Sequence, residues 1–354
     1  MKVLFRADAS NEQGGGHVMR SLVVANEFAK RGHECFFVSI KGSFEMIPYQ
    51  GSLSTQHLLH KIEIDKTNFD DCICLKSLLP SKVIPDVALV DSYLLQDNYE
   101  LELSKFCRNV AALDDVPNRT HNVDILIDPT FKRTGAEYQN LLLKKAHVLA
   151  GVDYAPLREE FAGLRTSSLA KRMQTDSKVR PKNIVVSLGL SDSENVTSVI
   201  INALSKVKTD FIATIVIGKN SPYEKTIRTL SESVKSPVQM LIAHENMAEL
   251  FFESDLSVGG GGSTSWERCC LGLPTLQITF APNQEDVTTN LASVGAVFHL
   301  GAAGNLRPEL VAYEIERHLA DSKLLLQMSQ ASFNLCDGLG AERIVDEVEK
   351  RCVA

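Results

Sequence analysis

Short apolar runs alternate with helical stripes along almost the whole chain. Lys2 to Asp8 reads as a buried strand, and a turn follows at Gly14-Gly15-Gly16. His17 to Arg31 then carries Val18, Leu22, Ala25 and Phe28 on one helical stripe. Gly32 stops that helix, and Cys35 to Ile40 is the next strand. From Lys41 to about Thr67 the pattern is irregular, broken by Gly, Ser and Pro. Asp86 to Asp91 (DVALVD) reads as a strand and Tyr99 to Cys107 as a helix. Asn109 to Asp114, Asp124 to Ile127 and Lys145 to Ala150 read as further strands, the last closing this half.

Arg165 to Asn183 is basic and polar and reads as a linker. The pattern then restarts, with strands at Asn183–Ser187, Phe211–Ile217, Val238–Ile242, Leu256–Val258 and Thr275–Ile278. Helices are expected at about 195–207, 222–234, 246–252, 263–271, 284–294 and 308–319, and a final one at about 341–351. Strands alternating with helices predict an α/β fold of two Rossmann-like domains with parallel sheets. The expected boundaries are 1–160, a linker over 161–182, a second domain over 183–335 and a C-terminal helix over 336–354. Two such domains joined by one linker make a cleft, and ligands of open sheets bind beyond the carboxyl ends of the strands.

The length of 354 residues suits two domains. Apolar residues make up 44% and charged residues 23%, which excludes disorder. With 37 Lys and Arg against 44 Asp and Glu, the net charge of -7 leaves no basic stripe for nucleic acid. The eight cysteines are scattered; Cys72-x-Cys74 has no second half, so they read as reduced thiols. There is no run of about 18 apolar residues and no apolar leader after Met1-Lys2-Val3, so a cytoplasmic protein without membrane insertion is expected.

Chemistry is expected in the loops that follow strands. In RADASNEQGGGHVMR (Arg6 to Arg20), three glycines allow close backbone approach, and His17 falls at a helix start. The positive end of the dipole disfavours imidazolium there, and a neutral imidazole is suited to general-base work. A capping or packing role for His17 is the alternative. The dinucleotide fingerprint fails because Met19 stands where its last Gly would be, and no phosphate-loop motif is present.

GGGGSTSWERCCLGLP (Gly259 to Pro274) turns on glycines and opens a helix at Ser263-Thr264, offering amides and hydroxyls to a pyrophosphate. Glu267, one turn on, suits ribose hydroxyls. The absence of Lys or Arg between Gly259 and Trp266 points to neutral amide donors, and the alternative is a glycine turn whose Ser caps the helix. Asn283 and Gln284 begin another helix and suit sugar hydroxyl or N-acyl groups, with a plain N-cap as the alternative for Asn283. Tyr93 follows DVALVD and either binds ligand or anchors a loop. Asp114-Asp115 reads as a pair of solvated turn carboxylates. Ser187-Leu188-Gly189 leads toward Ser191 and Asp192 in a loop expected to line the cleft.

Five stretches in this order resemble one family: RADASNEQGGGHVMRSL (Arg6 to Leu22), DDVPNRTHNVDILID (Asp114 to Asp128), GVDYAPLREEF (Gly151 to Phe161), SLGLSDSEN from Ser187, and GGSTSWERCCLGLP (Gly261 to Pro274). The family is the UDP-sugar hydrolases of pseudaminic acid biosynthesis, which act on UDP-2,4-diacetamido-2,4,6-trideoxy-β-L-altropyranose; the likeness runs from Lys2 to about Val297. It implies a GT-B-like architecture, bacterial cytoplasmic hydrolysis of the sugar–UDP bond with inversion, and free sugar for nonulosonic acid biosynthesis. By resemblance His17 is catalytic. Tyr93, Asn283 and Gln284, with Arg6, Asp8, Gly15 and Gly16, belong to the sugar side. His244, Met247, Gly262, Ser263, Thr264 and Glu267 belong to the UDP side. Two stretches depart from the pattern. Ser92 and Leu94 flank Tyr93 where the family has His and Gly, and Leu190 follows Gly189 where it has Gly; both bear on the sugar more than on the reaction.

The expected partner is a small UDP-sugar, with no nucleic acid, no cofactor and no metal, and a monomer or weak homo-oligomer. A glycosyltransferase of the same fold is the nearest rival, although no basic amphipathic helix is visible between Ser52 and Ile84. A non-catalytic nucleotide-sugar-binding module is the second; it would have no need of His17.

Overall fold

The computed structural model describes residues 1–10, 13–49, 56–65, 71–80, 83–174 and 182–352. The chain divides into two compact units: Met1–Leu157 with Leu339–Ala354, and Arg158–Gly338.

In the first unit β1 (Lys2–Ala7), β2 (Glu34–Ile40), β3 (Leu59–Ile64), β4 (Val87–Asp91), β5 (Val110–Leu113), β6 (Ile125–Asp128) and β7 (His147–Ala150) form a sheet of order β3-β2-β1-β4-β5-β6-β7. Every neighbouring pair is parallel. Helices α1 (Gly16–Lys30), α2 (Ser43–Met46), α3 (Asp71–Leu78) and α4 (Asp97–Leu103) connect the strands. The inner strands read as unbroken apolar runs because helices cover both faces of a parallel sheet. β4, β5 and β6 are buried at every residue. β3 lies inside the stretch expected to be irregular. As an edge strand it is half exposed, and His60, Lys61 and Glu63 hide its period.

The second unit repeats the plan. β8 (Lys182–Ser187), β9 (Phe211–Ile217), β10 (Val238–Ile242), β11 (Leu256–Gly260), β12 (Thr275–Thr279) and β13 (Phe298–Ala302) pair in parallel in the order β10-β9-β8-β11-β12-β13. Its core joins Ile184, Val186, Ile200, Phe211, Ile215, Val258 and Ile278. α6 (Val196–Leu204), α7 (Glu224–Glu232), α8 (Met247–Glu253), α9 (Thr264–Cys270), α10 (Pro282–Ser293), α11 (Pro308–Ala320) and α12 (Ser322–Phe333) follow in chain order. The half-buried β13 and the helix α12 have no counterpart in the sequence reading.

The expected linker is mostly helix. α5 (Glu159–Met173) spans its first part, while residues 175–181 lie outside the described residues. Its arginines are fasteners rather than solvated charges. Arg165 Nη2 donates to the Phe333 carbonyl at 2.7 Å, and Arg172 donates to the carbonyls of Leu271 at 3.0 Å and Phe251 at 3.0 Å. These carbonyls end α12, α9 and α8, where cations are favourable. The C-terminal helix, α13 (Gly340–Cys352), belongs to the first unit. It buries Ile344, Val345 and Val348, and Arg31 at the end of α1 reaches Asp346 at 2.6 Å and Glu349 at 2.9 Å. The stretch from Ser52 to Ile84 contributes β3 and α3, with residues 52–55, 66–70, 81 and 82 outside the described set.

In each sheet the winding reverses beside the first strand. β1 lies between β2 and β4, and β8 between β9 and β11. Loops after β1 and β4, and after β8 and β11, therefore diverge at a switch point where ligands of such sheets bind.

Candidate functional site

At the switch point of the first unit, His17 in the first turn of α1 meets Asp91 at the end of β4. The distance from Nδ1 to Asp91 Oδ1 is 2.6 Å, and both side chains are buried. Arg20, one helical turn beyond His17, grips the same carboxylate in a fork, Nε to Oδ2 at 2.7 Å and Nη2 to Oδ1 at 2.7 Å. Ser21 Oγ donates to Oδ2 at 3.0 Å. Burial opposes ionisation of Asp91, but Arg20 and His17 outweigh it and hold its pKa below the ordinary value. An ionised carboxylate only accepts. The shared proton therefore sits on His17 Nδ1, and in the neutral ring the lone pair is on Nε2. A carboxylate that fixes an imidazole tautomer in this way is the orienting element of a general-base dyad.

A second dyad stands beside the first. Arg20 Nη1 donates to Asp115 Oδ2 at 2.8 Å, and the Tyr93 hydroxyl donates to Asp115 Oδ1. Burial would raise the Asp115 pKa, yet Arg20 and the Tyr93 bond hold it far down. The Tyr93 phenol is pushed up, first by burial and then by Asp115, so it stays protonated and its oxygen offers only lone pairs outward. The rings of Tyr93 and His17 meet edge to face, centroids 4.6 Å apart. Arg20 thus spans two carboxylates and fixes the spacing of the two dyads.

The pair Asp114-Asp115 is accordingly not a solvated turn. Asp114 is buried between His121 Nε2 at 2.8 Å and Arg119 at 2.9 Å. The sequence reading named His17 and Tyr93 but missed Arg20, Asp91 and Asp115. The signals were present: an aspartate closing an apolar strand, and an Arg three residues after a His on a helix. Arg6 and Asp8 are buried and paired with each other, and Asp8 accepts from the Ile40 amide at 2.8 Å, tying the ends of β1 and β2 together. Gly15 occupies the N-cap position of α1 and Gly16 its first residue. Asn11 and Glu12 lie outside the described residues.

In the second unit Gly259 and Gly260 belong to β11, so the turn is confined to Gly261-Gly262. A Cβ on Gly259 would come within 2.5 Å of the Arg268 guanidinium. That cation lies directly under the strand: Arg268 Nη2 donates to the Gly260 carbonyl at 2.6 Å and Nη1 to Thr264 Oγ1 at 3.1 Å. A buried cation therefore underlies the loop, its donors spent on Gly260, Thr264, Ser265 and Gln277. Burial lowers the Arg268 pKa to about 10, against the opposing pull of Cys269 and Glu267. Ser263 holds the N-cap position of α9 without a side-chain cap hydrogen bond, which leaves its hydroxyl uncommitted to capping. Glu267 is buried in the first turn of that helix; burial raises its pKa against the pull of Arg158, whose Nη2 is 3.5 Å away.

Gln284 packs against the glycine turn, its Nε2 3.9 Å from a Cβ on Gly262, and its Oε1 accepts from the Phe280 amide at 3.0 Å. Asn283 is exposed inside α10 and is not the N-cap; Ala281 holds that position. His244 and Met247 flank the start of α8, both half-buried. After β8, the Leu190 carbonyl lies so near Gly218 that a Cβ there would stand 1.9 Å from it. Asp192 is spent on α6, accepting from the amides of Val196 at 2.9 Å and Thr197 at 3.0 Å. Among the described residues no cluster of His, Cys, Asp and Glu has the form of a metal site. No helix among them is long and apolar enough to cross a membrane.

No protein-family profile matches the chain. A Campylobacter jejuni protein named UDP-2,4-diacetamido-2,4,6-trideoxy-beta-L-altropyranose hydrolase is 25% identical over 297 residues, 83% of this chain and 97% of its own length. An uncharacterized protein of Methanocaldococcus jannaschii is 27% identical over 286 residues, 78% of this chain and 55% of its own, so the chain spans about half of that relative. The spore coat polysaccharide biosynthesis protein SpsG of Bacillus subtilis is 27% identical over 200 residues, 56% of each chain. Among solved structures, MurG of Acinetobacter baumannii superposes with a TM-score of 0.66 at 16% identity, covering 99% of both chains. UDP-GlcNAc 2-epimerase of Neisseria meningitidis does so with 0.63 at 15%, covering 99% of this chain and 100% of its own. The resemblance to the UDP-sugar hydrolase and the GT-B-like fold of two Rossmann-like units are both present.

Proposed function

We propose that this chain hydrolyses a UDP-linked 2,4-diacetamido-2,4,6-trideoxyhexose at its anomeric carbon, with inversion, releasing UDP and free sugar for nonulosonic acid biosynthesis. The observation that carries the reading is the His17–Asp91 dyad, in a chain that resembles a named UDP-sugar hydrolase along most of its length. The reading assigns the nucleotide to the second unit and water activation to the first.

Asp91 holds the Nδ1 proton, so Nε2 of the neutral His17 ring takes a proton from water. The water oxygen bonds to C1 as the C1–O bond to UDP breaks, and the electron pair leaves with the β-phosphate. One displacement inverts C1, in analogy with inverting glycosidases. UDP is a good leaving group, so no strong acid is required. Charge on the departing diphosphate is met by the amides and hydroxyls of Ser263 and Thr264, with Arg268 beneath them. Glu267 accepts from the ribose hydroxyls, His244 and Met247 face the base, and Tyr93, Asn283 and Gln284 serve the sugar.

Incubation with the UDP-diacetamido sugar in ¹⁸O-water without acceptor tests the reading. UDP and singly ¹⁸O-labelled free sugar are expected, with the label at C1 and inverted configuration. Release only after an acceptor is added would make the chain a transferase, and binding without turnover a nucleotide-sugar module. Glu267→Ala should weaken UDP binding by about tenfold, the worth of a hydrogen bond or two to a charged group. Calorimetry showing unchanged UDP affinity in that variant would remove the ribose role.

A further inference from the structure

The stretch Asp114 to Asp128 supplies no group to the reaction above, yet its side chains close around the catalytic pair. His121 is buried, with Nδ1 2.7 Å from Glu100 Oε1 on α4 and Nε2 2.8 Å from Asp114 Oδ2 at the end of β5. Asp114 Oδ1 faces Arg119 at 2.9 Å. The Arg119 guanidinium lies over the Tyr93 ring, 5.3 Å from its centroid, and donates to the Ser92 carbonyl at 3.3 Å. Tyr93 in turn meets His17 edge-on. A continuous set of contacts thus runs from Glu100 through His121, Asp114, Arg119 and Tyr93 to His17.

We propose that Arg119 and His121 are positioning residues for the His17–Tyr93 pair. His121 locks Asp114, Asp114 holds Arg119, and Arg119 presses the Tyr93 ring and the Ser92 backbone against His17. The inference rests on the reading of His17 as the base. Both nitrogens of His121 face carboxylate oxygens, so the lock is closed only when both carry protons. The other charged or titratable groups nearby are Arg119 on the far oxygen of Asp114, Asp97 bonded to Thr120, and the neutral Tyr138 phenol, whose ring is 6.4 Å from His121. Burial works against the charge on His121, but bonds to Asp114 and Glu100 prevail and raise its pKa to about 9. The lock is therefore fully closed below the ordinary histidine range and opens as pH rises through about 9.

Three variants test this: His121→Gln, Arg119→Lys and His17→Ala. Wild-type kcat should fall on an alkaline limb near pH 9. His121→Gln should lose that limb and run about tenfold slower at pH 7, the scale of a small misplacement of catalytic groups. Arg119→Lys keeps the charge on Asp114 but lacks the flat guanidinium over Tyr93; kcat should again fall about tenfold, with UDP affinity and Tm unchanged. This variant also decides the matter if His121→Gln does not fold. Wild-type kcat in Arg119→Lys, or an unchanged alkaline limb in a folded His121→Gln, overturns the positioning role. If those two behave as wild type while His17→Ala is inactive, the positioning role alone falls. If His17→Ala stays active, the base assignment falls and takes this inference with it.

Discussion

His17→Ala is expected to lower kcat by about 10²–10⁴-fold, the usual worth of a positioned general base. UDP affinity should stay within a factor of about two, because the nucleotide groups are assigned to the other unit. The split has a structural reason. His17 is a small buried group whose fixed partner is Asp91, and Ser21 and Arg20 still satisfy that carboxylate when the ring is gone. Folding should therefore survive and the loss should fall on the chemical step. Single-turnover measurement with saturating UDP-sugar isolates that step. A variant retaining near wild-type kcat would mean that water is activated elsewhere.

The second large effect concerns stability. Arg20→Met should cost about 3–5 kcal/mol at neutral pH, since it leaves the buried Asp91 and the half-buried Asp115 without their shared cation. The size of the loss depends on pH in a direction the pair dictates. Both carboxylates titrate below their ordinary range in the folded protein, so they contribute stability above the unfolded carboxylate pKa of about 4, and lose it as pH falls below that value. Without Arg20 that contribution becomes a penalty. The Tm gap between wild type and variant should thus widen from pH 4 to pH 7. A constant or shrinking gap would show that Arg20 acts through packing of its stem rather than through its charge.

The sheets were legible where strands are largely buried: DVALVD and FIATIVI announce themselves by apolar content alone, and the helices after them by stripe. β3 and β13 escaped because partly exposed strands mix polar residues into a short run. The linker reading failed because Arg165 and Arg172 look solvated in composition, whereas both fasten helix ends through carbonyls far along the chain. The same limit governs the site. His17 and Tyr93 stood out by their place after strands and glycines. Asp91, Arg20 and Asp115 are 71 and 95 residues apart in their pairings, and no local pattern encodes which carboxylate an arginine will find.

The placement of α13 bears on how the molecule is made. The second unit is an uninterrupted segment, whereas the first is split around it and completed only by the helix that begins at Gly340. On the ribosome the earlier half of the first unit emerges with the flank of α1 still uncovered, and Arg31 waits more than three hundred residues for Asp346 and Glu349. The inserted unit has its whole sequence available before its host does. Maturation of the host, and with it the helix that carries His17, therefore waits for α13, which is made after the inserted unit.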